Sequence, residues 1–239
     1  MRSDTSQDGV RGVQLPAFAS IPGLSHGFEQ RLGPDGWESQ EATRRRVAAA
    51  LEGDGRLLLL RQVHGRAVVR APWDGRPEGD AGLAETAGLL LGVETADCLP
   101  VLLVDPRRRA VAVAHAGWRG SALGVTRAAV LALVERGSRA QDLMVALGPA
   151  IGPCCYEVGD ELRDHFGPQG QAFFQPGPRG RPHLDVRAAN RGQLLEAGVP
   201  ASRIHSLDDC TCCRADLYHS YRREGRGSGR MISYVGFRA

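Results

Sequence analysis

Three short apolar runs each abut a histidine or a cysteine, and this pattern constrains the fold more than any other feature of the chain. The runs are LLLLRQVHG (Leu57 to Gly65), ETADCLPVLLVD (Glu94 to Asp105) and AVAVAHAGWRG (Ala110 to Gly120). Their length and apolar character read as buried strands. A strand that stops at His or Cys beside Gly points a soft ligand into whatever cavity lies at the sheet edge. His64, Cys98 and His115 are therefore candidate metal ligands. Three such ligands with no obvious fourth match a catalytic zinc site, where water or substrate takes the open position. The spacing differs from a zinc finger, in which paired ligands sit a few residues apart.

Further strands are expected at Ala67 to Ala71, Leu89 to Val93, Leu143 to Leu147, Ile204 to Leu207 and Met231 to Phe237. Helices are expected at Gln40 to Leu51, Ser121 to Arg136 and Asp185 to Ala197, the last capped by Asp185. Leu123, Val125, Val130, Leu131 and Val134 suit the buried face of the second helix, which ends at Gly137. Pro72 to Gly82 and Gly167 to Pro182 read as loops. No internal repeat or linker divides the chain. The expected fold class is α/β (α+β), a single domain of mixed β-sheet covered by helices over residues 23 to 239. Residues 1 to 22 are expected to form a loose N-terminal leader.

Composition narrows the function. All 30 basic residues are arginine, and lysine is absent, which reads as codon usage in a GC-rich genome. It removes a P-loop lysine, a Schiff-base lysine and a Ser-Lys dyad. A net charge of only +3, with scattered arginines, argues against a nucleic-acid surface. No apolar run approaches the ~20 residues of a membrane span, and the N-terminus lacks the h-region of a signal peptide. Cytoplasm is the expected location, with no membrane partner, and the chain is expected to be a monomer or weak homo-oligomer.

Two readings of the central residues stand side by side. In the first, His64, Cys98 and His115 hold Zn2+, and Asp97 accepts from an imidazole to fix its tautomer. In the second, no metal is used: Cys98 is a nucleophile and His115 its base, with Asp97 or Gln62 supporting, as in a thiol hydrolase or amidase. Arg119, beside glycines at the start of a helix, is a candidate anion contact. The remaining cysteines, Cys154, Cys155, Cys210, Cys212 and Cys213, read as reduced buried thiols dispensable for chemistry. The CTCC cluster lacks a matching downstream pair for a metal.

Taken together, RQVHG, TADCLPVLL, AVAHAGWRG, LGPAIGPCCYEVG and CT…YHSYRREG…GRM resemble the laccase-domain family, historically labelled polyphenol oxidase. The resemblance runs from about His26 to the C-terminus. Members are described as purine nucleoside phosphorylases with a zinc site, some as peptidoglycan editing factors. By resemblance, His64, Cys98 and His115 fall on the family's metal ligands. Arg44 falls where an Asn-Arg pair is common, with Thr43 replacing the asparagine, and joins Gln62 and Arg119 as the expected substrate- and phosphate-binding set. A stretch of family pattern rich in Asn, Gly, His and Asp is absent between Arg31 and Arg44.

The resemblance implies phosphorolysis of adenosine, inosine, guanosine or methylthioadenosine to a free base and ribose 1-phosphate, with adenosine deamination in some members. Its partners would be a purine nucleoside and phosphate. A cysteine amidohydrolase or peptidoglycan-precursor editing factor using Cys98 and His115 is the alternative. The old oxidase name fits the residues poorly: four coppers need about ten histidines plus a cysteine, and the chain has seven histidines in all.

Overall fold

The computed structural model describes residues 3–7, 10–31, 39–51 and 53–239. Two six-stranded sheets carry the architecture. The first has the order β1 (Ser3–Gln7), β2 (Val10–Gln14), β3 (Leu24–Glu29), β14 (Met231–Phe237), β7 (Leu89–Thr95) and β4 (Arg56–Leu59). The second runs β13 (Ile204–Ser206), β10 (Met144–Leu147), β8 (Leu99–Asp105), β9 (Ala110–Ala116), β6 (Ala81–Ala84) and β5 (Val68–Arg70). A small hairpin pairs β11 (Phe174–Pro176) with β12 (Pro182–Leu184). The helices are α1 (Pro16–Ala19), α2 (Gln40–Ala50), α3 (Trp118–Leu123), α4 (Val125–Glu135), α5 (Val186–Glu196) and α6 (Tyr221–Glu224).

Strand periodicity decides the layers. Successive side chains on a strand point to opposite faces. On β8, Leu102 and Val104 enter the core shared with Leu58, Leu91, Val93, Val235 and Phe237 of the first sheet. Leu99, Val101 and Leu103 point the other way, against Val125, Ala129, Val130 and Leu133 of α4 and Val186 and Leu194 of α5. The outer face of the first sheet buries Leu59, Leu90 and Ile232 under Val47 of α2. The result is helix, sheet, sheet, helix, with both faces of each sheet covered. Such strands read as near-continuous apolar runs, which is why those of β4, β8 and β9 stand out in the sequence.

The mixed α/β character expected from sequence is what the chain shows; the paired-sheet arrangement is the added detail. Several local expectations are corrected. The helix expected from Ser121 is two helices, because Gly124 adopts φ 81 between them. That left-handed break rephases α4, so Val125 and Val130 are buried while Leu123, Leu131 and Val134 are exposed. The loop expected to end at Gly82 already contains the start of β6, and the expected loop Gly167 to Pro182 contains β11 and a 3-10 turn. Asp185 caps α5 as expected, accepting from Ala188 N–H at 2.9 Å. No helix of the described residues is long and apolar enough to cross a membrane.

The stretch read as a loose leader is built into the fold where it is described. β2 pairs with β3, and Phe18 of α1 is fully buried in the inter-sheet core. Burial of these side chains outweighs the low regularity of the segment. His26 on β3 helps hold it: the ring is buried, and its Nε2 accepts from Leu15 N–H at 3.0 Å.

That contact makes a stability prediction. Burial pushes the His26 pKa down from 6.5 to about 4, so the folded chain keeps the ring neutral while the unfolded chain takes a proton. Between those values the unfolded state binds more protons, and stability falls as pH drops from 6.5 towards 4. The full contribution, present above the unfolded value, is about 3 kcal/mol. Urea unfolding from pH 7 to 4 should show a shallower loss in His26→Gln than in the natural chain. Parallel losses would place the acid lability elsewhere.

Candidate active site

The candidate ligands converge because the strand register brings them to one end of the inter-sheet space. On β9, Val111 and Val113 face the first sheet, and His115 follows with the same parity. Leu99 pairs with Ala116, so the preceding Cys98 lies beside Gly117. His64 arrives from the loop after β4 in a left-handed conformation, φ 61. The three ligand atoms lie within 4.8 Å of one another. The His64 and His115 rings meet edge to face with centroids 4.8 Å apart. Gly117 makes the convergence possible: a Cβ there would stand 2.9 Å from Cys98 Sγ and 3.1 Å from His64 Cδ2.

One carboxylate organises two of the three ligands. Asp80, fully buried ahead of β6, accepts from the backbone N–H groups of Val63, His64 and Gly65 at 3.1, 2.9 and 2.7 Å. Its Oδ1 also accepts from His115 Nδ1 at 2.8 Å. Because an ionised carboxylate only accepts, the proton sits on Nδ1 and the His115 Nε2 is left for the site. This is the orienting role expected of Asp97. Asp97 instead accepts from Thr211 Oγ1 at 2.6 Å and from Arg222 N–H at 2.7 Å. Its backbone is left-handed, φ 87, and these two bonds engage both of its carboxylate oxygens.

Electrostatics couple the cluster. Burial pushes the Cys98 thiol up, but the His115 charge and hydrogen bonds from both rings outweigh it and bring the pKa down to about 6. Burial likewise disfavours the His115 cation, but the Cys98 thiolate and Asp80 raise its pKa to about 9. Burial also opposes the Asp80 charge, yet His115 and the donated N–H groups hold its carboxyl below the ordinary range. Each group thus favours the charged form of the other, thiolate on Cys98 and imidazolium on His115. Two imidazoles and a ready thiolate around a gap that Gly117 keeps clear fit a zinc-type ion, whose binding releases the proton on His115 Nε2.

The three residues open onto a cavity of about 830 Å³. Arg44, Arg61, Arg76, Arg119, Arg222 and Arg230 line it, against the carboxylates of Glu94, Asp97 and Glu157. Positive charge in a concave site favours an anionic ligand. The arginines are not equivalent. Arg44 is forked onto Glu94, Nε to Oε1 at 2.7 Å and Nη2 to Oε2 at 3.1 Å, and Arg76 also pairs with Glu94. Arg44 lines the cavity, as expected of a substrate-binding residue, with its Nε and Nη2 engaged by Glu94. Gln62 likewise spends its amide on the backbone of Glu94, donating to the carbonyl and accepting from the N–H, each at 2.8 Å. Arg119 is exposed and stacks over Trp118 at 4.4 Å, and no carboxylate partner is recorded for it among the described residues.

Asp80, Trp118 and Tyr156 are parts of the site to which the sequence reading gave no role of their own. Asp80 carried a faint signal, an acid after Gly79 and immediately before an apolar strand. Trp118 was visible inside HAGWRG. Tyr156 was visible inside GPCCYEVG, and Arg222 inside the Gly/Arg loop Tyr221 to Arg230, whose composition suits either a phosphate contact or solvent. Arg222 reaches the site through its backbone N–H to Asp97 at 2.7 Å and its bonds to the Cys155 and Glu157 carbonyls at 3.1 and 2.9 Å. The segment absent relative to the family pattern between Arg31 and Arg44 falls largely on residues 32–38, outside the described residues.

Comparison with known proteins places this geometry. A family model described as multi-copper polyphenol oxidoreductase laccase matches residues 25–238. Purine nucleoside phosphorylase YlmD of Geobacillus stearothermophilus is 38% identical over 199 residues, covering 77% of this chain and 73% of the relative. Its crystal structure superposes with a TM-score of 0.87 and 31% identity, over 99% of this chain and 100% of that one. Purine nucleoside phosphorylase YfiH of Escherichia coli is 35% identical over 95% of this chain and 90% of its own length. Adenosine deaminase RL5, from an unknown prokaryotic organism, is 40% identical over 65% of this chain and 61% of its own.

Proposed function

The chain belongs to the family described as multi-copper polyphenol oxidoreductase laccase, and from that premise we propose that it cleaves purine nucleosides with phosphate at a zinc centre held by His64, Cys98 and His115. The observation that carries this reading is the convergence of those three side chains, with His115 locked by Asp80, on the floor of an arginine-lined cavity. The relatives named purine nucleoside phosphorylase and adenosine deaminase support it. Adenosine, inosine, guanosine and methylthioadenosine are the substrates proposed, with adenosine deamination as a second activity of the same centre.

A zinc ion bound by these ligands supplies Lewis acidity towards a bound anion or water. The rest is work for the chain's own residues. Trp118 and Tyr156 line the cavity with aromatic surface suited to a purine face. Arg119, stacked on Trp118 and without a carboxylate partner among the described residues, offers a fork of N–H donors to phosphate. Glycosidic cleavage builds oxocarbenium character, and a phosphate dianion held beside the ribose both stabilises that charge and attacks the anomeric carbon. The Arg44–Glu94–Arg76 cluster fixes the cavity end formed by α2 and the 60–76 segment.

The test is phosphate dependence. Adenosine or inosine should yield free base and ribose 1-phosphate only when phosphate is supplied. Arg119→Ala should raise the phosphate KM about 10- to 100-fold, with a much smaller change in nucleoside KM, because a charge-assisted contact worth about 1.5–3 kcal/mol is lost. An unchanged phosphate KM would remove Arg119 from the anion site. A metal-free reading has one observation in its favour, the run of Asp80, His115 and Cys98 in contact, which is also the arrangement of a cysteine amidohydrolase.

A further inference from the structure

Four other cysteines, expected as separate buried thiols, come together outside the lining of the cavity. Cys154 and Cys155 lie on the turn that follows Pro153, and Cys210 and Cys213 on the turn that follows Asp209. Their Sγ atoms all lie within 4.8 Å of one another. Cys213 Sγ is 3.6 Å from that of Cys154 and 3.4 Å from that of Cys155. Sulfurs at the corners of a tetrahedron around zinc, each about 2.3 Å from the ion, are about 3.8 Å apart. The cluster is already on that scale. Cys210 and Cys213 have the C-x-x-C spacing of half a zinc site. Their matching pair lies upstream in sequence, which is why a search downstream of CTCC misses it. Cys154 and Cys213 are exposed, and Cys155 and Cys210 half-buried, so an ion can reach all four.

One sulfur of the four, that of Cys210, already sits in surroundings that suit a thiolate. Gly152 N–H donates to Cys210 Sγ at 3.2 Å, a bond that favours the charged form. A Cβ at residue 152 would stand 3.2 Å from Cys154 Sγ and 3.4 Å from Cys210 Cβ, so glycine there lets the two turns close on the sulfurs. Four thiolates around a dication leave a net charge of about −2. Arg222 donates to the Cys155 carbonyl, and Arg223 donates to the carbonyls of Thr211 and Cys212, at 3.1, 2.8 and 2.9 Å. The Arg222 guanidinium puts positive charge beside the cluster, and that of Arg223 is shared with Glu224 at 2.6 Å.

We propose that Cys154, Cys155, Cys210 and Cys213 form a second metal site, a closed four-thiolate centre that binds zinc. Such a centre has no open position and is structural. Here it joins two turns that build one wall of the active site: the first continues into Tyr156 and Glu157, and the second carries Thr211, whose hydroxyl holds Asp97 beside Cys98. Binding releases thiol protons and ties the turns together.

Metal content of reduced protein tests it independently of the nucleoside reaction. The natural chain should carry two zinc ions, and Cys98→Ala should keep one. Adding Cys210→Ser and Cys213→Ser to Cys98→Ala should leave none. Cobalt(II) added to metal-free Cys98→Ala protein should give intense sulfur-to-cobalt charge-transfer bands and the visible bands of a tetrahedral four-sulfur ion. If the triple variant does not fold, the cobalt spectrum of folded Cys98→Ala protein decides alone: four-sulfur bands support the site and their absence overturns it. Zinc retained by folded protein carrying Cys98→Ala, Cys210→Ser and Cys213→Ser would also overturn it. So would a Cys154–Cys213 or Cys155–Cys213 disulfide in place of bound metal.

Discussion

Replacing Cys98 with alanine should lower phosphate-dependent nucleoside cleavage by about a thousandfold or more while leaving the chain folded. The thiolate is the only charged ligand of the three. Without it the centre keeps two imidazoles, one of them on the exposed His64, and holds zinc weakly. Loss of the several kcal/mol that a Lewis-acidic ion supplies corresponds to a fall of about that size. Cys98 is half-buried, and its truncation removes little packing. Zinc content and kcat/KM should fall together; full zinc retention in Cys98→Ala would reject the ligand assignment. A metal-free thiol hydrolase would also lose activity in this variant, so a chelator separates the two readings. A strong chelator should slow the natural enzyme, with recovery on adding zinc. Amide hydrolysis by metal-free protein would establish the thiol mechanism instead.

Asp80→Asn should carry the second largest effect, felt in both metal affinity and stability. Four donors converge on this one buried carboxylate: three backbone N–H groups of the His64 loop and His115 Nδ1. An asparagine turns one acceptor into a donor and so faces at least one N–H with another N–H. It also removes the anion that stabilises a protonated His115. Loss of such an orienting partner lowers metal affinity by about 10–100-fold, and breaking a buried charged pair costs about 3 kcal/mol or more. Competition against a chelator of known affinity reads the first, and urea unfolding reads the second. Unchanged zinc affinity would show that the His64 loop and the His115 ring hold their places without it.

The parts of the site that the sequence showed are those where local pattern and chemistry coincide. His64, Cys98 and His115 stand beside apolar runs, and a buried strand end is legible in one dimension because both faces of these strands are covered. Arg119 was legible for the same reason, sitting at the change from strand to helix. What the sequence did not show is which partner, distant along the chain, each polar group meets. Gln62 and Arg44 line the cavity as expected, and both also bond Glu94, 32 and 50 residues away. Asp97 could have oriented an imidazole, but Thr211 and Arg222, 114 and 125 residues on, take its oxygens. Asp80, 35 residues before His115, fills the role instead.

The sequence by itself determined the strands beside the three candidate ligands, the helices α2 and α5, the mixed α/β class and the choice of His64, Cys98 and His115 as the side chains to watch. These follow from residue type and periodicity, which are local properties of the chain. Only the tertiary structure decided that two sheets face each other, that Phe18 and His26 draw the N-terminal segment into the core, and that Gly124 breaks the long helix. It alone decided which polar group meets which: Asp80 with His115, Glu94 with Arg44, and the Cys154–Cys155 turn with the Cys210–Cys213 turn. A hydrogen bond or a thiol cluster depends on distance in space, and the packing of the sheets sets that distance, bringing residues more than fifty positions apart within a few ångströms.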